Sequence, residues 1–236
     1  MAMAYKNKVG GRVMQQQFNN QTNLNTSENI APNFNHGAHE ILDIHEVLNG
    51  TIIALDSYLM FDQHAKDPAL KDIIRRQRQF ITNQYNTTVD CFKTGKDPAQ
   101  PTTSYQMTQS NDVIYGLTPS QPKHPAMSVS EISDECISSH MLTSMKTIAG
   151  AMAKAAGEVN NPVVRRVLQD SIPNYLEMAY EVFLYQNKKR YYQVPQFNQQ
   201  DSLTMINSYA PMTMGMQQNN QTMTMNQPNQ ATNFIQ

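Results

Sequence analysis

The chain has 236 residues, a length suited to one domain or to one domain with long tails. Only 16% of residues are charged and the net charge is −1, so there is no basic excess to grip phosphate, and nucleic acid is not an expected partner. No apolar run reaches the ~18 residues of a membrane span, no charged-then-apolar leader points to Sec-type secretion, and two cysteines, Cys91 and Cys136, do not make a disulfide framework, so synthesis in a reducing cytosol is expected.

In chain order, residues 1–35 are rich in amides, with Gln15, Gln16, Gln17, Asn19 and Asn20 in one run. They lack the clustered aliphatic side chains that would offset chain entropy, and the segment reads as a disordered tail. A first helix is predicted over about 37–64, with Ile41, Ile44, Leu48, Ile52, Leu55 and Leu59 as its apolar stripe. His36, His39, Glu40 and Asp43 cluster at its start, where the acids suit the positive end of the helix dipole and a surface metal site would be weak and unspecific. His45 lies in the stripe; it reads as a buried imidazole bonded to a neighbouring helix, with Gln77 or Gln84 as acceptors, rather than as a lone metal ligand.

A second helix starts at Asp67-Pro68, a cap residue followed by proline, and carries Leu70, Ile73, Ile74, Gln77, Ile81, Gln84, Thr88 and Cys91. Arg75, Arg76 and Arg78 on it read as a solvated basic face. The stretch 94–127 contains five prolines and two glycines and reads as a long loop. A third helix opens with the capping-box pattern Ser128-x-x-Glu131 and buries Met141, Leu142, Met145, Ile148, Ala149 and Met152. Cys136 and His140, spaced i and i+4 on it, are two weak metal-ligand candidates without a third. A fourth helix opens with Asn161-Pro162, carries Val164, Val167, Leu168, Ser171, Tyr175, Met178, Val182 and Tyr185, and contains Pro173, which should kink it or cost it a hydrogen bond. Lys188, Lys189 and Arg190 suit the negative end of its dipole. Residues 193–236 hold one acid, no Lys or Arg, and many Met, Gln and Asn, and read as a second disordered tail able to self-associate.

Short connections make the first and second helices one antiparallel hairpin and the third and fourth another. Two hairpins joined by one long crossover give the all-α, ferritin-like antiparallel four-helix bundle over 36–192. A shift of 94 positions lays the second helix on the fourth: Asp67-Pro68 falls on Asn161-Pro162, Leu70 on Val164, Ile81 on Tyr175, and Pro101 on Pro195. That register points to a duplicated hairpin. A ferritin-like dinuclear metal site needs inward Glu on two helices and Glu-x-x-His on the other two. The second helix has neither Glu nor His, and no Glu-x-x-His occurs in the helices. No phosphate-binding loop, Gly-x-Ser-x-Gly or His-Glu-x-x-His is present either. No catalytic residue, cofactor or enzymatic activity is expected.

The fourth helix carries recognisable residues. The run Asn161-Pro162-Val163-Val164-Arg165-Arg166-Val167-Leu168 and the ending Tyr185-x-x-Lys188-Lys189-Arg190-Tyr191-Tyr192-Gln193-Val194-Pro195 resemble the last helix of spore coat protein F-like proteins (the Coat F domain). Where that family often has glycine before the paired tyrosines, this chain has Arg190, which removes a glycine helix cap. The resemblance covers 128–195, with 37–101 a diverged copy. It implies a ferritin-like bundle made in the mother cell of an endospore-forming bacterium and deposited in the spore coat. The implied role is a non-enzymatic structural or assembly protein whose partners are other coat proteins and further copies of itself. With eleven tyrosines and many Gln in the chain, Tyr191 and Tyr192 are the candidates for cross-links. The alternative is a ferritin-like metal-binding or redox protein with a degenerate site near His45, and a broader one a helical scaffold outside spores.

Overall fold

A computed structural model describes residues 36–212; the tail read over 1–35 and the end of the second tail, 213–236, lie outside the described residues. Four long helices follow one another: α1 (Ala38–His64), α2 (Pro68–Thr94), α3 (Asp134–Glu158) and α4 (Pro162–Lys188). Their starts follow the sequence signals. The Asp67 carboxylate accepts the Ala69 N–H ahead of Pro68, and the Asn161 side chain accepts the N–H groups of Val163 and Val164 ahead of Pro162. Gly95, in the left-handed conformation at φ 65°, closes α2. α4 runs unbroken through Pro173, which has no N–H to give the carbonyl one turn back.

One start differs from expectation. The Ser128–Glu131 pair sits on a 3-10 turn (Val129–Glu131), where Glu131 accepts the Met127 N–H, and α3 begins only at Asp134. The acceptor for its first turn is Ser133, through the Cys136 N–H. Asp134 is drawn instead to the α1–α2 turn, where it accepts the N–H groups of Lys66 (2.8 Å) and Asp67 (3.1 Å).

α1 packs on α2 and α3, and α4 packs on α2 and α3. The end contacts fix the directions. Asp134 at the start of α3 meets the end of α1, while Glu40 at the start of α1 accepts the N–H groups of Asn160 and Asn161 beyond the end of α3. Asp67 at the start of α2 meets Tyr185 and Lys189 at the end of α4. All neighbours are therefore antiparallel, and the crossover must travel the length of the bundle, which is the ferritin-like arrangement.

The core-facing residues of α2, α3 and α4 are those the periodicity selects. On α1 the face is different. Glu40, Ile44, Val47, Thr51, Ala54 and Tyr58 are buried, whereas Ile41, Ile52 and Leu59 of the expected stripe are exposed and Leu48 and Leu55 pack at its margin. Apolar residues almost encircle α1, so spacing alone does not choose a face; small residues and the Tyr58 hydroxyl, which donates to Gln77, suit the interior better.

The 94-residue shift holds in three dimensions. Each of the nine buried positions of α2, Leu70 to Cys91, falls on a buried position of α4, Val164 to Tyr185. Ile44, Val47, Thr51, Ala54 and Tyr58 of α1 fall on Ser138, Met141, Met145, Ile148 and Met152 of α3, all buried. The polar contacts also exchange under the shift. Glu40 bonds to Asn160 and Asn161 as Asp134 bonds to Lys66 and Asp67. Gln77 donates to the Met178 carbonyl, and at the exchanged positions Gln84 donates to Ser171. The Lys189–Asp67 ion pair has its counterpart in the bond from Asn161 to the Gly95 carbonyl. Contacts that swap in this way mean that the two hairpins are related by a pseudo-two-fold axis across the bundle.

The crossover forms an extended strap along α4. Asp170, Asn174, Glu181 and Asn187 hold Thr102, Tyr105, Thr108 and Ile114 in turn. At the end of the strap Gly116 donates to the Val194 carbonyl and Thr118 to Gln193. Residues 193–195, placed in the expected C-terminal tail, thus belong to the bundle. A separate unit begins at Gln196 and contains a short helix, α5 (Gln199–Ile206), inside the segment expected to lack structure. Its start is explained locally: the Asn198 side chain accepts the Asp201 N–H and donates to the Asp201 carboxylate.

Candidate functional site

Two carboxylates are fully buried among the described residues, Glu40 and Glu181. A buried carboxylate is costly unless paired and hydrogen-bonded, so each should be accounted for by its partners. Glu181 comes from the C-terminal half of α4 and receives donors from two elements. From α2, Arg76 gives Nη2 at 2.8 Å and Gln77 gives Nε2 at 3.0 Å. From the strap come the Tyr105 hydroxyl and the Thr108 N–H at 3.0 Å. Gln77 in turn accepts the Tyr58 hydroxyl of α1 at 2.7 Å and donates to the Met178 carbonyl. α4, α2 and the crossover thus meet at one carboxylate, and α1 joins them through Gln77.

The electrostatics agree with this closure. Burial, followed by the Glu181 carboxylate, pushes the Tyr105 phenol above its ordinary range. Burial does the same to Tyr58. Burial works against the Arg76 charge, but the bonds to Glu181 and Asp72 outweigh it and hold the guanidinium above its usual value. Chemically the cluster is a latch. A carboxylate with a guanidinium at 2.8 Å and both oxygens taken by donors is poorly disposed toward a metal cation. Glu40 is engaged by His36 at 2.6 Å and by the backbone of Asn160 and Asn161, where it serves the end of the bundle.

The sequence candidates are dispersed. His45 is exposed on α1, not buried, and bonds to neither Gln77 nor Gln84; it occupies the outward face left when the buried stripe shifts by one residue. His140 is exposed and stacks on Phe61 at 5.9 Å, while Cys136 is half-buried. Among the described residues no group of three or more His, Cys, Asp or Glu side chains converges on a metal position. His39 is exposed and Glu40, read as a surface acid, is buried. Arg76, read as part of a solvated face, turns inward to Glu181, whereas Arg75 stays exposed beside Asp62. Tyr191 is half-buried against Tyr185, and burial with the nearby Asp134 carboxylate raises its phenol. Tyr192 is exposed, with its ring edge-on to Phe183 and Lys146 over its face.

Helical spacing alone does not single out Glu181, Tyr105 or Thr108. A usable signal existed: Asn174, Glu181 and Asn187 are polar residues six or seven apart within an apolar stripe, whereas the equivalent positions of α2 are Phe80, Thr87 and Lys93. The wider cleft beside the strap, about 500 Å³, is lined by amides, hydroxyls and prolines around Asn83, Thr87 and Pro98. Asp90 there already accepts the Ala99 N–H.

Comparisons with known proteins fit this architecture. The model of the Coat F domain matches residues 133–195, which are α3, α4 and the segment through Pro195. The spore coat protein F-like protein YhcQ of Bacillus subtilis (strain 168) is 51% identical over 175 residues, covering 74% of this chain and 81% of that protein. A crystal structure of a candidate spore coat protein from Bacillus halodurans C-125 superposes with a TM-score of 0.51 at 14% identity, over 70% of this chain and 96% of that one, and shows the same fold. No described helix is long and apolar enough to cross a membrane. With half its residues shared over most of both proteins, and with the duplicated hairpin intact, the chain belongs to the spore coat protein F-like family, and its place is in the spore coat.

Proposed function

We propose that this protein is a non-enzymatic structural component that helps to assemble the coat and takes other coat proteins as its partners. The observation that carries the reading is the Glu181 cluster. The fully buried acid of α4 is spent on an arginine, an amide, a phenol and a backbone N–H that fasten the crossover, which leaves it no free oxygen for a metal or a reaction. Exposed Tyr192 adds a side chain available for cross-linking, with Tyr191 more shielded beside it.

A fluorescent fusion imaged through sporulation tests the reading. A ring at the forespore periphery is expected, and diffuse signal in the mother cell or in vegetative cells would overturn it. The non-enzymatic part has its own check. Purified full-length protein should carry no stoichiometric iron, manganese or zinc, and a metal lost in a His45→Ala variant would replace this reading with the metal-binding one. Peptide mapping of mature spores should show the peptide with Tyr192 depleted by cross-linking; complete recovery would remove that element.

A further inference from the structure

The pseudo-two-fold axis supplies an internal control for the surface. Ile41, Leu42, Ile52, Ile53, Leu59 and Met60 on α1 are exposed, with Leu42 and Ile53 at 64% and 66%. Their counterparts on α3 are Glu135, Cys136, Lys146, Thr147, Ala153 and Lys154. The bundle therefore forms equally well with polar or small residues at these positions, and the apolar set on α1 is not required by the core. Exposed apolar side chains grouped on one helix in this way mark an interaction surface. The charges differ as well. α1 has no Lys or Arg and presents Asp43, Glu46 and Asp56, whereas α3 is mixed, with Lys146 and Lys154 beside the acids Glu135 and Glu158. His140 of α3 stacks on Phe61 of α1, and Thr147 and Lys154 follow it at seven-residue spacing, so they lie on the side that α3 shares with α1, whereas Lys146 is turned toward Tyr192.

We propose that this side is a self-association interface, in which α1 of one copy packs on α3 of a second copy and α3 on the second copy's α1. A two-fold axis along the bundle places each α1 antiparallel to the opposing α3. It also keeps the register that the two helices have within a molecule, where Glu40 lies at Asn160 and Lys66 at Asp134. In that register Glu46 meets Lys154 of the second copy and Ile53 seats on Thr147. The other two-fold solution, α1 on α1, sets acids against acids with no Lys or Arg to relieve them. Two helix-on-helix contacts, each ~40 Å long, offer room for the ~1,200 Å² that a stable interface requires. The pairing is a property of the bundle and stands apart from its location in the coat.

The test is sedimentation equilibrium of the full chain with four variants. Wild type should dimerise, and Ile53→Lys should weaken the dimer by at least about thirty-fold at unchanged helicity and melting temperature. Leu176→Lys, at an exposed apolar position of α4, should leave the dimer intact and controls for added charge. Glu46→Lys and Lys154→Glu should each weaken the dimer, and the double variant should recover it. A monomeric wild type, a dimer or larger assembly indifferent to Ile53→Lys, or a double variant no better than the single ones would overturn the proposal.

Discussion

Hairpin α1–α2 and hairpin α3–α4 bury the same positions and cap their second helices with the same device, an acid from the other hairpin. Yet one has Thr87 where the other has Glu181, and one has an apolar outer face where the other has a polar one. What the two share is the physics of a four-helix core. What differs is what each hairpin must hold besides the core: the second holds the crossover, and the first leaves a surface free. Duplication thus separates the residues a bundle needs from those a particular bundle uses.

The sharpest way to break the comparison is at positions 87 and 181. Glu181→Ala removes the acceptor of Arg76, Gln77, Tyr105 and Thr108 and leaves the partly buried guanidinium to Asp72 alone. Each buried donor left without an acceptor costs about 1–3 kcal/mol, so a total loss of about 3 kcal/mol or more is expected. Thr87→Ala removes a hydroxyl that bonds only to the Asn83 carbonyl in its own helix and should cost less than about 1 kcal/mol. Urea unfolding of both variants measures the difference. Limited proteolysis within 102–118 should accelerate only in Glu181→Ala; equal losses would mean that the strap is held elsewhere.

The paired end acids come next. Glu40→Ala strips two backbone N–H groups of a fully buried acceptor and should cost about 1–3 kcal/mol. Asp134→Ala acts on the same two bonds at a half-buried site, where water can replace the acceptor, and should cost about 1 kcal/mol. A larger loss at Asp134 would show that the two ends are not equivalent.

Much of this plan is legible in the sequence, and what is not has identifiable causes. Asp67-Pro68 and Asn161-Pro162 mark two helix starts because proline preceded by a side-chain acceptor is a local device. The 94-residue register is legible because α2 and α4 each mix a clean stripe with polar residues. The face of α1 is not, since a helix apolar on nearly all sides gives no phase; the partner helix chooses it. The inward turn of Arg76 depends on Glu181, 105 residues away. The path of the strap depends on side chains of α4, so an irregular segment carries no periodicity that would place it.

The α2 and α4 caps also differ in how they titrate. Chiefly through its bond with Lys189, the Asp67 carboxyl is held below its ordinary value, whereas Asn161 at the equivalent place cannot ionise. A carboxyl whose value is depressed in the folded state adds stability above its unfolded value of about 3.9, and that stability is lost as pH falls through the folded value. Asp67→Asn should therefore flatten the acid limb of the stability–pH curve below about pH 4, leaving neutral pH to report only the lost ion pair. An unchanged acid limb would place the titrating group elsewhere.

The smallest expected effect lies at the helix ends. Gly95 closes α2 at φ 65°, and Arg190 takes the same left-handed conformation, φ 64°, one position later in the register of the repeat. There the Tyr191 N–H reaches the Gln186 carbonyl and the Arg190 N–H the Asn187 carbonyl, the pair of bonds that ends a helix in a Schellman turn. For a residue with a Cβ this conformation costs roughly 1–2 kcal/mol. Glycine avoids that cost but loses about 0.5–1 kcal/mol more chain entropy on folding. Arg190→Gly should then stabilise α4's end by a net gain below about 1 kcal/mol, and Gly95→Ala should destabilise α2's end by about 1 kcal/mol. Thermal unfolding of the two variants should shift in opposite directions. A loss of stability in Arg190→Gly would mean that the arginine side chain holds the turn through contacts worth more than the strain, and that its presence before the paired tyrosines is a contribution to the fold rather than a tolerated departure.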